Sequence, residues 1–114
     1  MKIKSAMKCA PGELRLHFAR YANNGRVAIR ATTLDGEPAA TLTVNISDLD
    51  LADNQIAVKV WGGNEGAVET LLQAGIIDSV ERWHPVGGFD ARAAICTLTA
   101  LSDLALSALP EDAR

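Results

Sequence analysis

The chain has few aromatic residues and no paired cysteine motif. Aromatics make up 4% of its 114 residues, which argues against an aromatic stacking surface for single-stranded nucleic acid. Cys9 and Cys96 form no CxxC or zinc-ligand spacing, so free thiols in a reducing compartment are favoured over a disulfide framework. No apolar run is long enough to cross a membrane, and residues 1–6 lack the apolar stretch of a signal peptide. A soluble cytoplasmic protein is the expectation.

The charge of the chain is unevenly distributed along its length. Residues 1–30 carry seven Lys or Arg and one Glu, whereas the remainder carries four basic and thirteen acidic residues. With 48% hydrophobic residues, the chain is predicted to form one domain, 1–114, without metal or disulfide support. Such asymmetry can mark opposite poles for binding. The favoured interpretation is that the two halves interleave in a folded sheet, so that their opposite fields cancel.

Two dipeptides, Asn24-Gly25 and Asp35-Gly36, are typical of two-residue hairpin loops. They predict a three-stranded meander in which alternate residues share a face. The predicted cross-strand pairs are Phe18 with Ala31, Ala22 with Val27, Ile29 with Leu42, and Val27 with Val44. The predicted outward residues are Arg15, His17, Tyr21, Arg26, Arg30, Thr41, Thr43 and Asn45.

The rest of the chain predicts further strands and a short helix. Alternating Ile56, Val58 and Val60 indicate a strand, and residues 76–83 and 91–97 read as two more. Between them, Asn64 is the expected N-cap and Gly75 the expected C-terminal stop of a helix. Helical spacing also links Leu98, Leu101, Ala105, Ala108 and Leu109. The predicted fold class is therefore α+β: an antiparallel sheet of five to six strands with one inserted short helix. A C-terminal helix is one interpretation of the last segment, and a strand is the other. Trp61 and Trp83 are expected to bury against the sheet.

An acidic connection follows the meander. Asp48, Asp50 and Asp53 are spaced like the start of a calcium loop, but the later positions that need a ligand, a glycine and a bidentate glutamate hold Ala52, Asp53 and Lys59. No metal site is predicted here. Two interpretations stay open, a solvated loop and an acidic patch that meets a basic partner surface.

Two other clusters carry ionisable side chains. Asp78, Glu81 and His84 would share a helix face, but in a strand Glu81 would point away from the other two, so neither a catalytic nor a metal site is favoured. No cofactor is predicted. The outward arginines of the meander, Arg15, Arg26 and Arg30, form the alternative candidate site, a face for nucleic acid, with a solvated sheet face as the simpler interpretation.

The run from Asn24 to Ile46 resembles a family of small proteins of unassigned function carried on conjugative elements, plasmids and prophages. The most specific parts are Gly25-Arg26-Val27-Ala28-Ile29, Gly36-Glu37-Pro38 and Thr41-Leu42-Thr43-Val44-Asn45, with looser similarity from Val58 to Gly75. The resemblance implies no catalytic residues. It implies a context in which small acidic proteins often act by stoichiometric binding to host machinery, including CRISPR effector complexes.

Three functional hypotheses follow. The first is a non-enzymatic binding protein of a mobile element, an anti-CRISPR-like anti-defence inhibitor that uses Asp48, Asp50 and Asp53 against a host protein complex. The alternative is a nucleic-acid-binding accessory protein that uses Arg15, Arg26 and Arg30. The third is a small enzyme built around Asp78, Glu81 and His84. The sequence leaves open a monomer or a homodimer.

Overall fold

The described part of the chain forms seven antiparallel strands and one short helix. A computed structural model describes residues 1–46, 49–87 and 91–100. The elements are β1 Lys2–Ser5, β2 Gly12–Arg20, β3 Val27–Thr32, β4 Pro38–Thr41, β5 Gln55–Val58, α1 Ala67–Gln73, β6 Ile77–Pro85 and β7 Arg92–Leu98. This confirms the α+β class and the inserted short helix. The predicted C-terminal helix lies outside the described residues from position 101 onward, and Leu98 belongs to β7.

The strands lie in two sheets, so the predicted single sheet of five to six strands is wrong. One sheet has the order β1-β2-β3-β4 and the other the order β5-β7-β6. They meet at an isolated bridge between Thr43 and Val58. There the Val44 N–H donates to the Ala57 carbonyl at 3.0 Å, and the Lys59 N–H donates to the Leu42 carbonyl at 2.8 Å. Because the chain changes sheets at this point, the predicted pair of Val27 with Val44 does not form.

The first hairpin turn is longer than predicted. The Tyr21 N–H donates to the Arg26 carbonyl at 2.8 Å, so residues 22–25 form the loop, and Gly25 takes a positive φ of 70°. Phe18 therefore pairs with Ile29 instead of Ala31, and Val27 with Arg20 instead of Ala22. The slip is by two residues, and side chains alternate with a period of two, so the predicted assignment of faces survives.

The second hairpin reaches the predicted register by another route. Thr33 and Glu37 close a three-residue loop through a 2.8 Å bond from the Thr33 N–H to the Glu37 carbonyl. A bulge then restores the register, because Thr32 pairs with Pro38 while Ala31 pairs with Ala40. Beyond it the Leu42 N–H donates to the Ile29 carbonyl at 2.9 Å, which confirms the predicted pairing of these two residues.

The described residues form two apolar clusters, and the larger one joins the two sheets. The larger cluster contains residues from both sheets and from α1, among them Ile29, Leu42, Val58 and Leu71, with Phe18 packed against it. A second cluster on the other side of β5 and β7 contains Leu49, Ala57, Ala93 and Ile95. Val44, predicted to face inward with Ile29, packs against this second cluster. Strand β7 is thus covered on both faces.

The N-cap of the helix lies two residues after the predicted one. Gly66, with φ of 96°, is the N-cap, whereas the buried Asn64 side chain donates to the Thr41 carbonyl at 2.7 Å. Asn64 therefore links the helix entry to β4, and its prediction as N-cap is wrong. Gly75 is confirmed as the stop: its N–H donates to the Leu72 carbonyl, and the Ile76 N–H to the Leu71 carbonyl, which is the Schellman pattern.

Candidate nucleic-acid interface

Strand β1, which the sequence patterns do not predict, adds two lysines to the first sheet. Its register places Lys2 beside Arg15 and Lys4 beside Glu13. On the neighbouring strands His17 pairs with Arg30, and Arg30 pairs with Thr41. We call the solvent-facing group Lys2, Lys4, Arg15, His17 and Arg30 the outer basic face. Except for the half-buried His17, its members are exposed.

The two-sheet topology concentrates this charge. The first sheet is built entirely from residues 2–41 and the second from residues 55–98. The two parts of the chain therefore do not interleave in one sheet, which is the condition on which the expected cancellation of their fields depended. The basic excess of residues 1–30 lies largely in one sheet, and Glu13 is the one acidic residue in strands β1 to β4.

His17 reports the electrostatics of this face. Its Nε2 lies 2.8 Å from the Thr32 Oγ1. Partial burial, and then the positive charges of Arg30, the amino terminus and Arg15, lower the pKa of His17 from its ordinary value of 6.5. The neighbouring cations thus disfavour a further positive charge, as expected where positive charges are crowded.

Arg26 does not belong to the outer basic face, although the sequence predicted it there. It precedes β3, and its Nη1 donates to the Ile46 carbonyl at 2.7 Å while its Nη2 donates to the Leu49 carbonyl. The first of these carbonyls directly precedes the acidic loop, residues 47–54, and the second belongs to it. The guanidinium is therefore committed to holding this loop. Its partners are backbone groups about twenty positions away, which no local sequence pattern reveals.

The acidic loop is anchored through its backbone. Arg82 on β6 donates to the Asp50 carbonyl at 2.9 Å, and Leu49 is buried in the second cluster. The side chains of Asp50 and Asp53 are exposed. Asp48, the third predicted contact residue, lies outside the described residues. Between this loop and the first hairpin turn is an open cleft of about 580 Å³, lined by residues that include Arg20 and Asp53.

The structure does not assemble Asp78, Glu81 and His84 into a metal site. Within the described residues, no group of three or more His, Cys, Asp or Glu side chains is placed to hold a metal ion. Glu81 accepts hydrogen bonds from Ser79 at 2.7 Å and Thr97 at 3.0 Å, which lower the pKa of this exposed carboxyl. Its hydrogen bonds are thus local contacts within the second sheet.

The two tryptophans differ in burial, and one of them departs from the expectation. Trp61 is partly buried against the second cluster, whereas Trp83 on the edge strand β6 is 50% exposed. The prediction of burial is therefore wrong for Trp83. Neither residue lies in the first sheet, so neither contributes an aromatic surface to the outer basic face.

Comparison with known proteins finds no matching family model, no matching curated protein and no matching solved structure. The geometry defines a class only, an α+β chain with two antiparallel sheets and a basic outer face on the first. Of the helices in the part of the chain that the structure describes, none is long and apolar enough to span a membrane.

Proposed function

We propose that this chain is a non-enzymatic binding protein whose outer basic face contacts the phosphates of a nucleic acid. The observation that carries the proposal is the register of the first three strands. Lys2 of β1 lies beside Arg15 of β2. Two residues further along β2, His17 pairs with Arg30 of β3. Phosphates along a strand recur every several ångströms, and a row of cations on a sheet face can contact several of them at once.

The chemistry of the face favours contact with phosphates over contact with bases. Phe18 packs toward the core, and the Tyr21 hydroxyl lies 2.9 Å from the Thr43 Oγ1. On the outer basic face the strands of the first sheet thus offer only the half-buried imidazole of His17, which contacts Thr32, as an aromatic ring. Binding should therefore be independent of sequence and strongly dependent on salt, with a dissociation constant of about 10⁻⁶–10⁻⁴ M at physiological salt.

The experiment is a titration of a fluorescent DNA duplex and of the matching single strand at several salt concentrations. Each lost phosphate contact should flatten the slope of log K against log salt by about 0.7–0.9. We expect this loss for Arg15→Gln and for Arg30→Gln. The matched control is Arg92→Gln, which removes the same charge from an exposed position at the start of β7. If no binding is detected even at low salt, the proposal is wrong; if all three variants behave alike, the contact lies elsewhere.

A second candidate function uses the acidic loop. Arg26 donates to the Leu49 carbonyl and Arg82 to the Asp50 carbonyl, and the exposed Asp50 and Asp53 side chains face solvent. A loop whose backbone is fixed and whose carboxylates are exposed can bind the basic surface of a host nucleic-acid-binding complex, because the two surfaces carry opposite charges. The family resemblance supports the same idea, a stoichiometric anti-defence inhibitor similar in action to an anti-CRISPR protein, acting in the cytoplasm.

The second candidate is tested by capture of host defence complexes and by phage sensitivity on expression. Asp50→Lys combined with Asp53→Lys should abolish both effects. The control is Asp35→Lys, the same charge reversal on the exposed second hairpin loop. Failure to capture any defence complex, with unchanged phage sensitivity, would remove this candidate and leave the first one untouched.

A further inference from the structure

Strand β1 has an open edge with unpaired backbone groups. It is the outermost strand of the first sheet. The Leu16 N–H donates to the Met1 carbonyl at 2.7 Å, so Met1 and Leu16 form a hydrogen-bonded pair. Hydrogen-bonded and non-hydrogen-bonded pairs alternate along an antiparallel ladder. The pairs of Lys2 with Arg15 and Lys4 with Glu13 are therefore the non-hydrogen-bonded ones, and the N–H and C=O groups of Lys2 and Lys4 point away from β2.

A groove lies beside this edge. It has a volume of about 390 Å³ and is lined by Met1 to Lys4 on one side and by Gln73 and Ala74, at the end of α1, on the other. Successive side chains of β1 alternate between the exposed lysines and the buried Ile3. A strand added here would thus have one row of side chains beside lysines and the other row beside apolar groups.

The charge of the edge selects the partner. A second copy of β1 paired in antiparallel fashion about Ile3 would set Lys2 opposite Lys4 twice, and like charges directly opposite are destabilising. Lysines on short edge strands disfavour self-pairing for this reason. An acidic segment meets the opposite condition. Lys2, Lys4 and the adjacent Arg15 present three positive charges on one side of the edge, against the single negative charge of Glu13 beside Lys4.

We propose that β1 binds an extended segment of a partner protein in which acidic and apolar residues alternate, so that the segment adds a fifth strand to the first sheet. Its backbone bonds to the outward N–H and C=O groups of Lys2 and Lys4, its carboxylates lie beside the lysines, and its apolar side chains enter the groove next to Ala74. This is the strand-addition mode of peptide recognition. It does not depend on the nucleic-acid proposal, since it requires backbone groups that phosphate contacts do not use.

The probe is a capped peptide of alternating Asp and Val, titrated into the isotope-labelled full chain. We expect shifted resonances and slowed hydrogen exchange at the amides of Lys2 and Lys4. A peptide methylated on the amide nitrogens that would face β1 should bind at least about tenfold more weakly, as expected for the loss of net hydrogen bonding near 1.4 kcal/mol. A peptide of alternating Lys and Val should not bind.

A pair of variants separates the contribution of the backbone N–H of Lys4 to peptide binding from the contribution of its side-chain charge. Lys4→Pro and Lys4→Thr both remove the lysine, but only proline removes the outward N–H, and neither removes a bond to β2. Lys4→Pro should bind the acidic peptide about tenfold more weakly than Lys4→Thr, while both should bind DNA equally.

The proposal would be overturned if Lys4→Pro and Lys4→Thr bound the acidic peptide equally. It would also be overturned if the methylated and unmethylated peptides bound equally, or if the acidic peptide did not bind at all. The methylated peptide tests the unmodified protein, so the result does not depend on whether Lys4→Pro folds. If the unmodified protein bound the acidic peptide but no DNA, the proposed function would be contradicted and the strand-addition proposal would stand.

Discussion

His17 is the titratable side chain through which the crowded charge of the outer basic face should affect stability. Burial and the nearby Arg30, amino terminus and Arg15 lower its pKa in the folded state from 6.5. The unfolded chain therefore binds more protons than the folded chain in the window just below pH 6.5. Stability should fall as the pH decreases through that window and level off below the folded pKa.

The measurement is chemical denaturation near neutral pH and at about pH 5.5. His17→Gln should reduce the loss of stability between the two conditions. The matched control is His84→Gln, the same exchange on β6, which should leave the loss in place. An undiminished loss in His17→Gln would contradict this assignment.

The two cysteines should differ sharply in reactivity. Cys96 is fully buried on β7, and burial raises the pKa of its thiol to about 12, so almost no reactive thiolate forms at neutral pH. Cys9 is exposed. A thiol reagent should label one cysteine in the folded protein and both in denaturant. Cys9→Ser should abolish labelling of the folded protein, and rapid labelling of that variant would show that Cys96 is accessible.

At the scale of elements, the entry to α1 depends on a glycine that packs against the N-terminal segment. Gly66 has φ of +96°, and a Cβ there would lie 2.1 Å from the Ala6 carbonyl oxygen. Gly66→Ala combines backbone strain with this overlap and should lower the free energy of unfolding by about 2–5 kcal/mol.

Gly25 supplies the matched control for that substitution. Its φ is +70°, but nothing lies within 4 Å of an added Cβ. Gly25→Ala should therefore cost only the strain of about 1–2 kcal/mol. Denaturant unfolding of both variants measures the difference, and equal losses would mean that the contact at Ala6 relaxes freely.

Local patterns predicted the features that depend on local chemistry. Gly75 was identified as the helix stop because positive φ favours glycine there, and the faces of β2 and β3 followed from alternation. The lengths of the two hairpin loops could not be predicted in this way, because Asn24 and Asp35 suit loops of several sizes. Strand β1 was missed because four residues with one buried isoleucine give too little periodicity. The outer basic face was only half visible for that reason: Arg15 and Arg30 were identified, whereas Lys2 and Lys4 were not.

At the scale of the whole molecule, Thr43 connects the two sheets. Because the Leu42 carbonyl accepts from Lys59, the residue after β5, the Ile29 N–H takes a different acceptor, the Thr43 Oγ1 at 3.1 Å. The Tyr21 hydroxyl lies 2.9 Å from the same oxygen. Thr43, predicted to face outward, is in fact buried. One hydroxyl thus replaces the ladder bond that the strand loses where the chain changes sheets.

Thr43→Val keeps the shape of the side chain but leaves the Ile29 N–H without this acceptor. The expected loss is about 1–3 kcal/mol, the cost of a buried unsatisfied donor. The control is Thr41→Val on β4, an exposed position two residues earlier, which should change stability by less than about 0.5 kcal/mol. Because Thr43 joins the two sheets, hydrogen exchange should accelerate in β3 and β5 together. Acceleration confined to β3 would show that the sheets open independently of the bond at Thr43.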